Sequence, residues 1–258
     1  MSLPEPGGLP ELALPARRIA VVNCNTSAEM TREIAAGARA VAAPGTEILG
    51  LQPAWGPTSA EGFYDSFITA AAVLALLGTL PAEIDAVVMA GFGEHGREGA
   101  RELLEIPVVD ITEAAAMHAM LLGHRYGVVT TLSRVRGQIQ DSLTTAGLAQ
   151  RCVAIEATDL EVLAVGEDLD RTLEAFVRAG TRAIEAGADV LVLGCAGFTA
   201  LREELNRALP VPVVDAVSSA VVLAEGLIAT GGRTSKAGAY AAPLAKARPG
   251  WPLLTTAV

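Results

Sequence analysis

One passage of this sequence occurs twice. From Asp85 to Asp110 the chain reads DAVVMAGFGEHGREGARELLEIPVVD, and from Asp189 to Asp215 it reads DVLVLGCAGFTALREELNRALPVPVVD. Both copies run Asp, an apolar strand, a glycine-rich turn, an amphipathic helix and then Pro-Val-Val-Asp. The offset between the two Asp residues and that between the two PVVD segments differ by a single position. A fainter echo links IAVVNCNTS (Ile19–Ser27) to YGVVTTLSR (Tyr126–Arg134). Internal duplication means that one supersecondary unit has been used twice. The simplest fold with this property has two similar lobes related by a pseudo-twofold axis, with corresponding loops facing each other across one cleft.

The local patterns supply the elements of those lobes. Short apolar strands are predicted at Arg18–Asn23, Glu47–Leu51, Ala86–Ala90, Val108–Val109, Gly127–Thr130, Val153–Glu156, Val190–Gly194 and Val213–Val214. Amphipathic stretches lie between them, among them Ala28–Ala42, Arg134–Ala146, Leu169–Ala186 and Leu201–Leu209. Alternating strands and helices make an α/β fold with parallel-rich sheets flanked by helices. The expected division is an N-terminal extension over residues 1–17, a first lobe of residues 18–112 joined by 216–258, and a second lobe of residues 113–215. Ligands on such sheets bind beyond the carboxyl ends of the strands.

Composition narrows the function. The net charge of −10 over 258 residues argues against nucleic acid or an anionic membrane as partner, since both require concentrated Lys and Arg. A small substrate is the expected ligand, and an anionic one stays compatible because helix N-termini bind anions locally. No apolar run reaches the roughly 18 residues of a membrane span. The Pro-, Gly- and Glu-rich opening lacks the basic start and apolar middle of a signal peptide, so a cytoplasmic protein is expected. Cys24, Cys152 and Cys195 have neither an even count nor the spacing of a disulfide framework. With His95, His118 and His124 scattered and no CxxC, no zinc site is predicted. A P-loop lysine and a GxSxG elbow are also missing. Cysteine chemistry is what is left.

In the repeat register Gly91 corresponds to Cys195, and Gly93 to Gly197. Cys195 sits in LGCAGFT, between a strand and a helix, where backbone N–H groups are expected to lower a thiol pKa and to hold an anion. A lone Cys is otherwise often a small buried hydrophobe. Asn25 and Thr26 after the first strand, and Thr130 and Thr131 as their repeat partners, are candidate donors to a substrate carbonyl or carboxylate. Backbone N–H groups near Gly93 and Gly197 would form an oxyanion hole, and Phe198 and Phe63 would line a side-chain pocket. The same NTS run also reads as a helix N-cap. Asp110 and Asp215 read as helix caps and His118 as structural.

The chain resembles the hydantoin and allantoin racemases of the Asp/Glu/hydantoin racemase superfamily. The features that carry the resemblance are VVNCNTS, EGFYDSF, AGFGEHG, TTLSRVR, LGCAGF, VPVVD and the tail GGRTSKAGAYAAP, spread from about Ile19 to Pro243. It implies a two-lobe α/β enzyme, a homo-oligomer, without cofactors, in which two cysteines flank the substrate. One takes a proton as thiolate and the other delivers a proton to the opposite face.

At one decisive place the sequence departs from that pattern. The family's first cysteine lies in a turn like Cys-Phe-Gly-Asp-Pro-Gly, and here the turn is Gly91-Phe92-Gly93-Glu94-His95-Gly96. Glycine transfers no proton. Either His95 or Cys24, which stands where the family often has Pro, replaces the missing group, or no second group is needed. In the last case the reaction is a decarboxylation of the arylmalonate type, with Cys195 as sole proton donor. On this reading Gly91→Cys is expected to create or raise racemase activity.

Overall fold

The computed structural model describes residues 17–162 and 168–251. Except for Arg17, which opens the first strand, the expected N-terminal extension lies outside the described residues. Two four-stranded sheets are built, and every strand pairing in them is parallel. The first contains β1 (Arg17–Asn23), β2 (Thr46–Leu51), β3 (Ala86–Ala90) and β4 (Val108–Asp110), in the order β2-β1-β3-β4. The second contains β5 (Tyr126–Thr130), β6 (Cys152–Ala157), β7 (Val190–Leu193) and β8 (Val213–Asp215), in the order β6-β5-β7-β8. The two orders are the same pattern, as the duplicated sequence requires.

The helices are α1 (Ala28–Val41), α2 (Phe63–Leu77), α3 (Arg97–Leu103), α4 (Ile111–Leu122), α5 (Arg136–Thr145), α6 (Leu169–Glu185), α7 (Arg202–Ala208) and α8 (Ala216–Ala229). Ser27 caps α1, Asp110 caps α4 through the Thr112 and Glu113 N–H groups, and Asp215 caps α8 through the Ser218 N–H. The predicted stretch Leu201–Leu209 forms α7, preceded by a 3-10 helix over Ala196–Leu201.

Side chains alternate across each strand, and the two faces join different cores. Ile19 and Val21 on β1, Val88 on β3, Val128 on β5 and Val190 and Val192 on β7 belong to one central cluster. The small residues Ala114, Ala115, Ala119, Ala216, Ala220 and Ala224 of α4 and α8 complete it. Ala20, Val22, Val87 and Met89 face the other way, onto α2 through Val73 and Leu77. Val129, Leu191 and Leu193 do the same in the second sheet, against Phe176, Ala179 and Ala183 of α6. Alanine-rich helices let two sheets share one core at close approach.

α4 and α8 tie the halves together. α4 leaves β4 and packs on β7, β5 and β8 as well as on its own sheet, while α8 leaves β8 and packs on β1, β3 and β4. The two helices also pack against each other, with His118 Nδ1 hydrogen-bonded to Ser219 Oγ at 2.8 Å. The tail then returns to α3. Thr234 Oγ1 donates to the Ile106 carbonyl, the Lys236 ammonium donates to the Arg101 and Glu102 carbonyls, and the Tyr240 hydroxyl donates to Glu98. Among the described residues no helix is long and apolar enough to cross a membrane.

Candidate active site

The ends of the central strands of both sheets converge on one small cavity of about 50 Å³. Asn23, Cys24 and Asn25 after β1 and Ala90, Gly91, Phe92 and His95 after β3 form one wall. Thr130 and Thr131 after β5 and Gly194, Cys195 and Ala196 after β7 form the other, with Gln138 of α5 between them. Such a volume holds roughly three or four waters, which suits a compact head group rather than a polymer. Ala60 and Val162 complete the lining, and the Val162 N–H donates to Glu61 across the two halves.

The strand registers place the two walls in correspondence. β1 pairs with β3 up to Asn23 opposite Ala90, so Cys24 and Gly91 are the next residues on each. β5 pairs with β7 up to Val129 opposite Leu193, so Thr130 and Thr131 come beside Gly194 and Cys195. Thr130 Oγ1 donates to the Gly194 carbonyl at 3.1 Å. Asn23 is therefore the structural partner of Thr130, and Cys24 that of Thr131. The expected pairing of Asn25 and Thr26 with those threonines is two positions out, as the echo of Ile19–Ser27 in Tyr126–Arg134 itself requires.

The first wall is closely filled. An added Cβ at Gly91 would lie 2.4 Å from His95 Cδ2, 2.7 Å from Cys24 Cβ and 3.0 Å from Cys24 Sγ. Gly91 has no left-handed φ, unlike Gly93 (φ 112) and Gly96 (φ 96), so space alone keeps it a glycine. In Gly91→Cys the new side chain would meet two neighbours, His95 and Cys24, and both would have to shift to admit it. The rest of the turn is clamped: the Gly93 N–H donates to Thr112 Oγ1 at 2.9 Å, and its carbonyl accepts from Ser142 Oγ at 3.1 Å. Behind it lies Arg97, fully buried, with Asp110, Glu113, Glu94 and Glu98 around it.

His95 is buried, at 4% exposure, rather than an exposed loop residue. Its Nε2 lies 3.3 Å from the Phe92 carbonyl, which only accepts, so Nε2 carries the proton. Nδ1 is then a lone-pair acceptor, and it has no partner among the described residues. Burial pulls the His95 pKa down to about 4, so the ring is neutral near pH 7.

On the second wall, the expectation that a helix N-terminus would lower the Cys195 pKa is outweighed. Burial pushes that thiol up to about 11, although the Gly197 and Ala196 N–H groups bond to the sulfur and pull the other way. Burial also pushes the Cys24 thiol up to about 12, and the Cys195 charge adds to this. Two sulfurs thus sense each other through the cavity. All three cysteines are free thiols.

Several expected binding residues lie elsewhere. The Thr26 N–H and hydroxyl are both directed to the Pro57 carbonyl, so this residue holds the loop ahead of α2 instead of meeting the cavity. Phe198 is buried and stacks edge-to-face on Phe176 at 4.5 Å, inside the second sheet's outer core. Phe63 is 46% exposed and outside the lining, because it opens α2 facing solvent. The Gly93 N–H is taken by Thr112, so it is not a free oxyanion donor. Asn25 does line the cavity, but its Oδ1 is occupied by Asn23 and the Ser27 N–H. Thr131 has no partner for its hydroxyl among the described residues and faces the cavity.

Asn23 and Gln138 were missed. Asn23 is 1% exposed and knits the first turn by donating to Asn25 and Thr31. Gln138 donates to Ser66 at 2.6 Å and to the Glu94 carbonyl. A polar residue on the buried face of an amphipathic helix was the available signal for Gln138. Among the described residues no group of three or more His, Cys, Asp or Glu side chains could hold a metal ion.

Comparison with known proteins agrees with this architecture. The family model described as Asp/Glu/Hydantoin racemase matches residues 19–224. The crystal structure of allantoin racemase from Pseudomonas fluorescens superposes with a TM-score of 0.88 at 50% identity, covering 90% of this chain and 100% of that one. Allantoin racemase from Klebsiella pneumoniae gives a TM-score of 0.86 at 41% identity, covering 92% and 98%. A hydantoin racemase of Rhizobium meliloti is 37% identical over 234 residues, 90% of this chain and 97% of the relative. With a parallel sheet repeated twice and a thiol at the cleft between the copies, the chain belongs to the Asp/Glu/hydantoin racemase family.

Proposed function

We propose that this protein is a cofactor-independent racemase of a hydantoin-like cyclic ureide, with Cys195 exchanging the proton at the ring's acidic stereocentre. The observation that carries this reading is the position of Cys195: at the carboxyl end of a central strand, on the cavity wall, with two backbone N–H groups on its sulfur. Those groups favour the thiolate that proton abstraction requires. Removing a proton between a carbonyl and a ring nitrogen leaves an enolate, and the Thr131 hydroxyl on the cavity lining is its donor in this reading. The relatives' printed names, hydantoin and allantoin racemase, supply the substrate class. Free thiols fit the reducing cytoplasm.

The test uses single enantiomers of 5-substituted hydantoins and of allantoin in deuterium oxide. Optical rotation should decay to zero while deuterium enters the stereocentre. No decay across that panel, together with carbon dioxide release from a disubstituted malonate, would replace this reading with the decarboxylase.

A further inference from the structure

We propose that Cys24 is the second acid–base residue, the opposite-face partner of Cys195, standing in the space that Gly91 leaves. This rests on the racemase reading and names the group that completes it.

The duplicated turns set the problem. The structural mate of Cys195 is Gly91, and both line the same cavity from opposite sheets. Cys24 Sγ lies 3.0 Å from where the Gly91 Cβ would be, on the adjacent strand end and on the same cavity wall. The sulfur has changed strand while keeping its place. That it also senses the Cys195 charge puts the two thiols on one site.

His95, the competing candidate, is a poor proton donor. Its ring is neutral, its one N–H is directed at the Phe92 carbonyl, and its Nδ1 has only a lone pair to offer. An unpartnered buried acceptor on the cavity wall suits a ring N–H of a ureide. His95 also packs where a Gly91 side chain would go, so it holds the space in which Cys24 works.

The step balances without a further reactant. The Cys195 thiolate takes the proton from one face of the stereocentre, and the electron pair moves into the adjacent carbonyl as an enolate. The Cys24 thiol then gives its proton to the opposite face of that carbon, and the enolate collapses to the inverted carbonyl compound. Cys195 ends as thiol and Cys24 as thiolate, which is the state needed for the reverse turnover.

Cys24→Ser keeps the size of the side chain and tests the assignment, with folding checked by circular dichroism and melting temperature. Racemisation in either direction should fall by about 100- to 10,000-fold, while His95→Gln should retain a rate above that of Cys24→Ser. Retention of more than a tenth of the wild-type rate in Cys24→Ser would overturn the assignment and leave the racemase reading intact. A wild type that racemises nothing would instead defeat the racemase reading itself. The wild type offers a check that does not depend on any variant folding. Early in a reaction in deuterium oxide, product should carry deuterium while unreacted substrate stays protiated. Product that keeps the substrate's own proton would point to one base serving both faces and overturn the proposal.

Discussion

The two halves of the molecule repeat one fold but carry their sulfur on different strands. In the second half the thiol follows β7 and a threonine follows β5; in the first half the thiol follows β1 and a glycine follows β3. The two turns are held differently as well. The Gly91–Gly96 turn is filled from behind by Cys24 and His95 and clamped by Thr112, Ser142 and Gln138. The Cys195 turn opens into a 3-10 helix whose first N–H groups are free to bond the sulfur, and an added Cβ at Gly197 meets nothing within 4 Å. On our assignment the sulfur keeps its place in space while its place in the chain changes. A position that looks empty in an alignment of the halves is occupied in the fold by a neighbour.

Perturbing each half should expose this difference. The largest effect is expected from Cys195→Ala, which removes the thiol with no neighbour to replace it. Turnover should drop by about 10,000-fold, read by polarimetry on a single enantiomer; a drop below tenfold would move the chemistry off the second half. Next in size is the pH response. With both thiols raised to about 11 and 12, the thiolate fraction grows tenfold per pH unit well below those values. kcat/KM should therefore climb about 100-fold from pH 7 to pH 9 without a plateau, and a plateau near pH 7 would mean a base other than these sulfurs.

Stability should separate the turns more modestly. Gly91→Ala forces a methyl to within 2.4 Å of His95 Cδ2 and 2.7 Å of Cys24 Cβ. A cost of about 1–3 kcal/mol is expected from such overpacking, whereas Gly197→Ala should change stability by no more than about 0.5 kcal/mol. Urea unfolding of both variants decides, and equal costs would deny that the first turn is the filled one.

The smallest effect concerns His95. Its pKa is lowered to about 4 in the folded state from 6.5, so the unfolded chain binds more protons between those values. Stability contributed by the neutral ring is present above pH 6.5 and is lost as pH falls toward 4. Asp110, raised from 3.8 to about 7 by burial, acts in the opposite sense, losing stability as pH rises through that range. His95→Gln should flatten the acid-side loss between pH 6.5 and 4, leaving the Asp110 slope; an unchanged profile would show the ring to be solvated.

Most of the architecture was readable from the chain because the repeat is a direct statement of it. PVVD twice placed β4 and β8 and their Asp caps, and two glycine-rich turns placed the cavity. The Cys195 turn was legible for the same reason, since the strand, the turn and the helix are contiguous. What failed were residues whose role depends on contacts distant in sequence. Thr26 is claimed by Pro57, Phe198 by Phe176 and the Gly93 N–H by Thr112. Gln138 reaches the cavity from a helix that begins in the other half of the molecule, bonding Ser66 and Glu94 on the way. The packing of Cys24 and His95 around Gly91 is likewise a tertiary fact, invisible in the sequence.

Reciprocal exchange in two matched variants bears most directly on the idea of opposed sulfurs. Cys24→Ser and Cys195→Ser, each incubated with each pure enantiomer in deuterium oxide, should exchange the stereocentre's proton without inverting it, and each should act on a different hand. If both folded variants exchange the same enantiomer, or if neither exchanges any, the sulfurs do not face the carbon from opposite sides.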